Sequence, residues 1–482
     1  MSPPTILQRL AQFAAETTCD SLAPSVTTGV EEHILDTVGV ALAASAQRTA
    51  DGVASAFAAT GGAPEATLIG RPERSVAAIA ALYNGTLAHS LDFDDTHLPS
   101  VLHPSASVVP TGLAIAEAMG TDNRLLLAAI ATGIEITIRT GMGGYLAEGG
   151  NMFFERGWHA TSICGTLGSA ATAAKLMGLD SATIGHAIGI ATSFGSGIIE
   201  ANRLGGTVKR LHCGWAAHAG IMAAKLAKAG YSAPPTAFEG RFGFYHAFIG
   251  ERFDEEAVIS GLGVRWDLKD VHFKPYPANH YTHAAIDASL AIRAELGPFD
   301  PDDITEIELG SAEAALRTIG EPREAKIRPE SGYHARFSGP FAVAAALLGG
   351  SGLGVHFEDF TDERARDPRY LSLASKVTTF IDPTSDQVFP NSFAAVVRVH
   401  LRDGRLVEKR VMENRGGPKR PLSRDELRLK FTTNAKGAIS ADEADEIANL
   451  IFALDRGGPV TELTSKLARG REIEAMSARG RN

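Results

Sequence analysis

From residue 5 to about residue 260, apolar side chains recur three and four positions apart, and no other feature narrows the possible folds as much. This period predicts amphipathic helices broken at glycine-rich or polar turns. Segments 29–45 (GVEEHILDTVGVALAAS), 75–91 (SVAAIAALYNGTLAHSL), 123–141 (NRLLLAAIATGIEITIRTG) and 212–230 (HCGWAAHAGIMAAKLAKAG) show it, and all are rich in Ala and Gly. Within 159–177, Gly165, Ser169 and Ala173 recur every four residues. Small side chains then share one helix face, which lets another backbone approach closely. A compact, mostly buried bundle is expected. Glu135 and Arg139, four apart in one of the most apolar helices, predict a structural pair with no functional role.

Past about residue 266 the texture changes. Residues 304–310, 376–382, 394–401 and 405–412 alternate or are rich in β-branched side chains, and RDG at 402–404 supplies a hairpin turn. Helical stretches at 283–296 and 338–350 lie between them. Helical pattern returns at Ser423, where Glu426 three positions on completes a capping signal. The chain is therefore expected to be mainly α: a large all-helical domain formed by residues 1–265 and 416–482, with a smaller α+β domain, 266–415, inserted between them. The last dozen residues read as a frayed end.

Composition removes several functions. A formal charge of −10 spread along the chain argues against nucleic acid, whose binding needs a concentrated cationic face. No segment nears the ~18 consecutive apolar residues of a bilayer span, so no membrane partner is expected. The N-terminus, MSPPTILQRLAQFAAE, lacks the basic start and apolar run of a signal peptide, which makes a cytoplasmic location the expectation. Cys19, Cys164 and Cys213 are far apart and odd in number, so neither a disulfide framework nor a zinc ribbon is indicated. GGSGLG at 349–354 lacks the spacing of a dinucleotide or phosphate loop and follows a helix. It reads as a helix stop, and no cofactor is expected.

Candidate chemistry concentrates in four stretches. DFDDTHLPSVLHP, 92–104, packs three carboxylates and two imidazoles into thirteen residues. His97 stands where a calcium loop requires glycine, and the zinc signature H-E-x-x-H is missing, so no metal is expected. Imidazole titrates near ~6.5, and one steered by a carboxylate can exchange a proton at neutral pH. FFERGWHATSICGTLG, 153–168, places His159 directly before a glycine-rich helix. GGTVKRLHCGWAAHAG, 205–220, brings Lys209, Arg210 and His212 to the start of another. VHFKPYPANHYTHAAID, 271–287, carries Lys274, His280 and His283 around two prolines. Cationic and imidazole groups at helix N-termini favour an anion, so the expected ligand is a small carboxylic acid.

At these residues the sequence resembles the MmgE/PrpD family, which includes 2-methylcitrate dehydratase, cis-aconitate decarboxylase and iminodisuccinate epimerase. The resemblance rests on LDFDDTHLPSVLHPSASVVP, WHATSICGTLGSAATAAKLMGL, KRLHCGWAAHAG and FKPYPANHYTHAAIDA, with a weaker block, ARFSGPFAVAAALL, at 335–348. It implies that the inserted α+β domain is a lid, that the active site lies in the cleft between the domains, and that the protein is a homodimer. Carried over position by position, it implies catalytic roles for Asp92, His103, His159, Lys209 and Lys274. Thr96 falls on a pocket position, and Phe154, His212, Tyr276, Asn279, His280, His283 and Phe341 are substrate-binding candidates. Asp94, Asp95 and His97 are assigned structural or solvated roles. Where many members read K-P-Y-P-C-C-R, this chain ends the block in Ala278, Asn279 and His280, so imidazole replaces an arginine fork. Phe341 stands where some members have tyrosine, which deletes a hydroxyl.

The implied chemistry is that of a cofactor-independent lyase or isomerase acting at a carbon next to a carboxylate. Lys209 and Lys274 hold substrate carboxylates, His103 oriented by Asp92 is one acid or base, and His159 is the other. Dehydration of a 2-methylcitrate-like hydroxy acid is the first expectation; decarboxylation of the cis-aconitate type and epimerisation of the iminodisuccinate type share the same proton-transfer core. The rivals from other classes are a non-catalytic small-molecule-binding dimer and a metal-dependent hydrolase.

Overall fold

The computed structural model describes residues 3–146, 150–201, 206–250 and 252–468, so the expected frayed end and Gly205 lie outside it. Helix accounts for 58% and strand for 9%, which makes the protein mainly α. The chain divides into two compact units, Met1–Val271 with Phe431–Asn482, and His272–Lys430. Both borders lie later along the chain than the changes of texture at 266 and 416, and the second falls inside the helix Arg424–Ala435. Periodicity does not show where one continuous helix passes from one core to another.

The first unit is built around the helix Ala160–Leu176, every residue of which is buried. Helices Ser105–Met119, Asn123–Met142, Ser181–Phe194 and Val208–Lys228 pack around it. The close approach predicted from small residues is present. A Cβ on Gly165 would meet Ser107, one on Gly168 would collide with Thr137 and the Gly133 carbonyl, and one on Gly214 would collide with the Leu82 carbonyl. The helix Ala77–His89, also buried throughout, thereby lies directly on Val208–Lys228. Several threonine hydroxyls inside these helices are satisfied locally: Thr137 donates to Gly133 O at 2.8 Å and Thr166 to Ser162 O at 2.8 Å. Glu135 and Arg139 form the expected pair at 2.6 Å, both fully buried. Arg139 also donates to the carbonyls of Ser260 and Arg265, and Glu135 accepts from the backbone of Asp267 and Leu268. The C-terminal segment is tied to this unit by backbone bonds from Gly70 N to Leu467 O and from Asn123 N to Gly458 O, each 2.8 Å.

Asn123–Met142 is long and apolar enough to cross a membrane by length and composition, which the count of consecutive apolar residues missed; most of it is buried inside the unit.

The second unit holds a four-stranded sheet in the order Val377–Ile381, Ile304–Ser311, Ala395–Leu401, Leu406–Val411. The first pair is parallel and the others antiparallel. Its strands lie where alternation places them. Helices His283–Leu296 and Gly339–Leu348 cover the sheet's apolar face, burying Ile307, Leu309, Val397 and Val399. The turn at 402–404 is closed by Gly404 at φ 88°, a conformation glycine adopts without a Cβ penalty. Ser423 and Glu426 form their reciprocal cap, and the helix before GGSGLG stops at Leu348.

Candidate active site

The stretch 92–104 leaves the end of the helix Ala77–His89 through Asp92, whose φ of 54° reverses the chain. Aspartate tolerates this left-handed conformation better than most residues. The reversal brings Asp94 back against His89, whose Nδ1–H donates to Asp94 Oδ2 at 2.7 Å. A short bridge between His97 and Leu102 then folds the loop on itself and returns His103 beside Asp95. His103 Nδ1–H donates to the Asp95 carbonyl at 2.6 Å, with Thr96 Oγ1 3.1 Å away as a second acceptor and Asp94 Oδ2 at 3.7 Å. The His103 backbone N–H donates to Thr161 Oγ1 at 3.2 Å.

The loop also holds a carboxylate–imidazole pair that sequence reasoning did not name, Asp94–His89. Asp94, Asp95 and His97 are all buried, which decides between the structural and solvated roles expected for them in favour of the structural one. Asp95 receives His33 Nδ1 at 2.8 Å and the Ser105 hydroxyl, while His33 Nε2 donates to Leu268 O at 3.2 Å. Burial alone would lower the His33 pKa, but the hydrogen bond and charge of Asp95 hold it above the usual value. His97 Nδ1 pairs with Ser100 Oγ at 2.6 Å, which stiffens the turn carrying His103.

His159 sits at the N-cap of Ala160–Leu176 without making a side-chain cap, so its ring is left for other contacts. Its Nδ1 lies 2.9 Å from His212 Nδ1, which requires one ring to donate and the other to accept. The His89 ring stands 5.2 Å from that of His103 and 5.4 Å from that of His159. Burial, then the charges of His89, Lys209, His212 and His103, hold His159 well below its ordinary value. Burial, with His89 and Lys209, pushes His212 down to about 4. Lys209 beside them is partly buried.

His89, Asp94 and His103 each bring a possible ligand atom within 4.8 Å of the others. In this arrangement His89 Nδ1 is engaged with Asp94 Oδ2 and His103 Nδ1 with the Asp95 carbonyl.

Within the second unit, Lys274 is buried. Tyr276 donates to Asp287 Oδ1 at 2.7 Å, and Asp287 Oδ2 accepts from the Arg415 backbone at 2.8 Å and from Arg420 at 3.1 Å. Asn279 accepts from Tyr281 N at 3.1 Å, capping the turn His280–Thr282. His283 donates Nε2–H to Ala278 O at 3.0 Å, and His280 Nε2 accepts from Asn414 Nδ2 at 3.0 Å. The rings of His280 and His283 are 4.8 Å apart. Phe341 is fully buried against Phe360 and Tyr370, so it packs the core of the unit and its missing hydroxyl faces no solvent. Phe154 is 46% exposed on the short helix Met152–Glu155.

Of the candidates, the structure gathers Thr96, His103, His159 and His212 in the first unit with Lys209 in electrostatic range, and Tyr276, His280 and His283 in the second. Sequence reasoning missed His89 because it closes an apolar helix. Its signal was the spacing His89-x4-Asp94, which spans a helix end and hides from a window starting at Asp92.

Residues 8–256 match the MmgE/PrpD N-terminal domain and residues 276–456 the MmgE/PrpD C-terminal domain. The chain belongs to the MmgE/PrpD family. It is similar to the cis-aconitate decarboxylase of Homo sapiens, with 32% identity over 414 residues, 83% of this chain and 82% of the relative. It is also similar to the cis-aconitate decarboxylase of Aspergillus terreus, strain NIH 2624 / FGSC A1156, 28% identical over 83% of each chain. A 2-methylcitrate dehydratase-like protein of Aspergillus oryzae is 28% identical over 44% of this chain and 42% of its own length.

Proposed function

We propose that the protein is a decarboxylase acting on a small unsaturated carboxylic acid of the cis-aconitate kind. The observation that carries this reading is the cluster in which His89 and His103 lie against Asp94, His159 lies beside His89 and His212 beside His159, with Lys209 in electrostatic range, because imidazoles gathered beside a lysine suit proton transfer to a bound anion. Relatives named as decarboxylases cover most of the chain, while the dehydratase-like one covers under half, which moves decarboxylation ahead of the dehydration first expected. In the proposed reaction Lys209 holds a substrate carboxylate. The bond from carbon to a second carboxylate breaks, carbon dioxide leaves, and the electron pair stays on the substrate. His103 or His159, protonated beforehand, gives its proton to that carbon and regains one from water. Asp92, Thr96 and Lys274 keep as proposals the roles read from the sequence, as do the lid role of the α+β domain, the homodimer and the cytoplasmic location.

Dehydration is the second reading, supported by the 2-methylcitrate dehydratase-like relative. An assay of purified protein on cis-aconitate and 2-methylcitrate, following carbon dioxide and double-bond formation, separates the two. Carbon dioxide from cis-aconitate is expected, and His103→Ala or His159→Ala should lower the rate by roughly 10²–10⁴-fold. Double-bond formation from 2-methylcitrate without gas release from cis-aconitate would reverse the assignment. Full activity in both variants would remove the two histidines from the chemistry.

A further inference from the structure

His33 and His89 are both buried imidazoles held by carboxylates of the same loop, and they differ at the far nitrogen. His33 is satisfied at both ends, by Asp95 at Nδ1 and by the Leu268 carbonyl at Nε2, as a structural pin should be. His89 donates Nδ1–H to Asp94, but its Nε2 is buried with no hydrogen-bond partner among the described residues. A buried polar atom without a partner is destabilising, so a residue serving only to fill this space would be apolar. What His89 holds is Asp94 Oδ2, and that same oxygen lies 3.7 Å from His103 Nδ1. His103 is itself oriented by its Nδ1–H bond to the Asp95 carbonyl.

We propose that Asp94, clamped by His89, is the counter-charge that lets His103 become an imidazolium during turnover. Both act through His103 and are positioning residues. The inference rests on the reading of His103 as a proton-transfer group. When His103 Nε2 takes a proton from water, the ring gains one positive charge against the single negative charge of Asp94. When Nε2 passes that proton to the carbon left by carbon dioxide, the ring is neutral again.

The neighbouring groups from the packed helices are imidazoles and a lysine, which carry no negative charge. His89 closes Ala77–His89, His159 starts Ala160–Leu176, and Lys209 and His212 lie on Val208–Lys228. The imidazoles are neutral or positive, and Lys209 opposes a second cation. Within the loop, the Asp95 carboxylate is matched by His33, and Asp92 stands at the turn with Asp94 two residues on. Asp94 is the carboxylate that the geometry sets against both rings.

The test is an NMR titration of histidine-labelled protein without substrate, following the His103 ring. Asp94→Asn should lower its midpoint by about one pH unit or more, and Asp94→Glu should recover part of the loss. His89→Leu should lower the midpoint as well. His89→Asn, which keeps a donor near the Nδ1 position, should stay near wild type, an order that a space-filling role does not produce. In turnover, kcat of Asp94→Asn should fall about tenfold or more, its acid limb moving with the midpoint, while KM changes less than about threefold. An unchanged His103 midpoint in both Asp94→Asn and His89→Leu overturns the proposal. If Asp94→Asn fails to fold, the His89 pair decides alone. A wild type that releases no carbon dioxide from cis-aconitate overturns the decarboxylase reading, and the substrate-free midpoints still decide the role of Asp94.

Discussion

Gly214 marks a close approach between two helices of the first unit. A Cβ there collides with the carbonyl of Leu82, which is backbone and cannot swing aside, whereas a Cβ on Gly52 has no atom within 4 Å. Gly214→Ala should therefore destabilise by about 1–3 kcal/mol through overpacking. Gly52→Ala, in the helix Asp51–Phe57, should be neutral or stabilise by about 0.5–1 kcal/mol. Urea unfolding of both variants checks the pair, and equal midpoints would contradict the packing. The same scale shows why the sequence left open whether Asp94 and Asp95 are structural or solvated. Asp95 meets His33, 62 residues earlier in the chain, and no local pattern announces that a charge in a loop has such a partner.

At the level of elements, the imidazoles lie at helix ends: His89 closes Ala77–His89, His159 caps Ala160–Leu176, and His212 lies in the second turn of Val208–Lys228. Their burial gives a pH dependence whose sign follows from proton counting. His159 and His212 have lowered folded values, so between about 6.5 and 4 the unfolded chain binds protons that the folded chain refuses. Stability from these groups is complete above about 6.5 and is lost as pH falls toward 4. His33 acts in the opposite sense: its raised value contributes stability below its unfolded pKa that is lost as pH rises through its folded one. The urea midpoint should decline from pH 6.5 to pH 4.5, and His212→Gln should flatten that decline. A slope identical in the variant would show that His212 does not contribute.

For the whole molecule, the homodimer expected from the family resemblance is open to a direct measurement. Light scattering should return twice the 50.7 kDa of one chain, and a single-chain mass at working concentration would remove the dimer from the proposal. By itself the sequence determined the mainly helical class, the four strands and the blocks shared with the MmgE/PrpD family, because hydrophobic period, turn chemistry and contiguous motifs are local properties of a chain. It also placed His103, His159 and Lys209 among the candidates, since each lies inside such a block. Only the tertiary structure decided that Asp94 pairs with His89, that His33 holds Asp95, that His159 meets His212 and that Phe341 is core. Each depends on which side chains meet after the chain has turned back on itself, and burial then sets whether a charge is solvated, paired or suppressed.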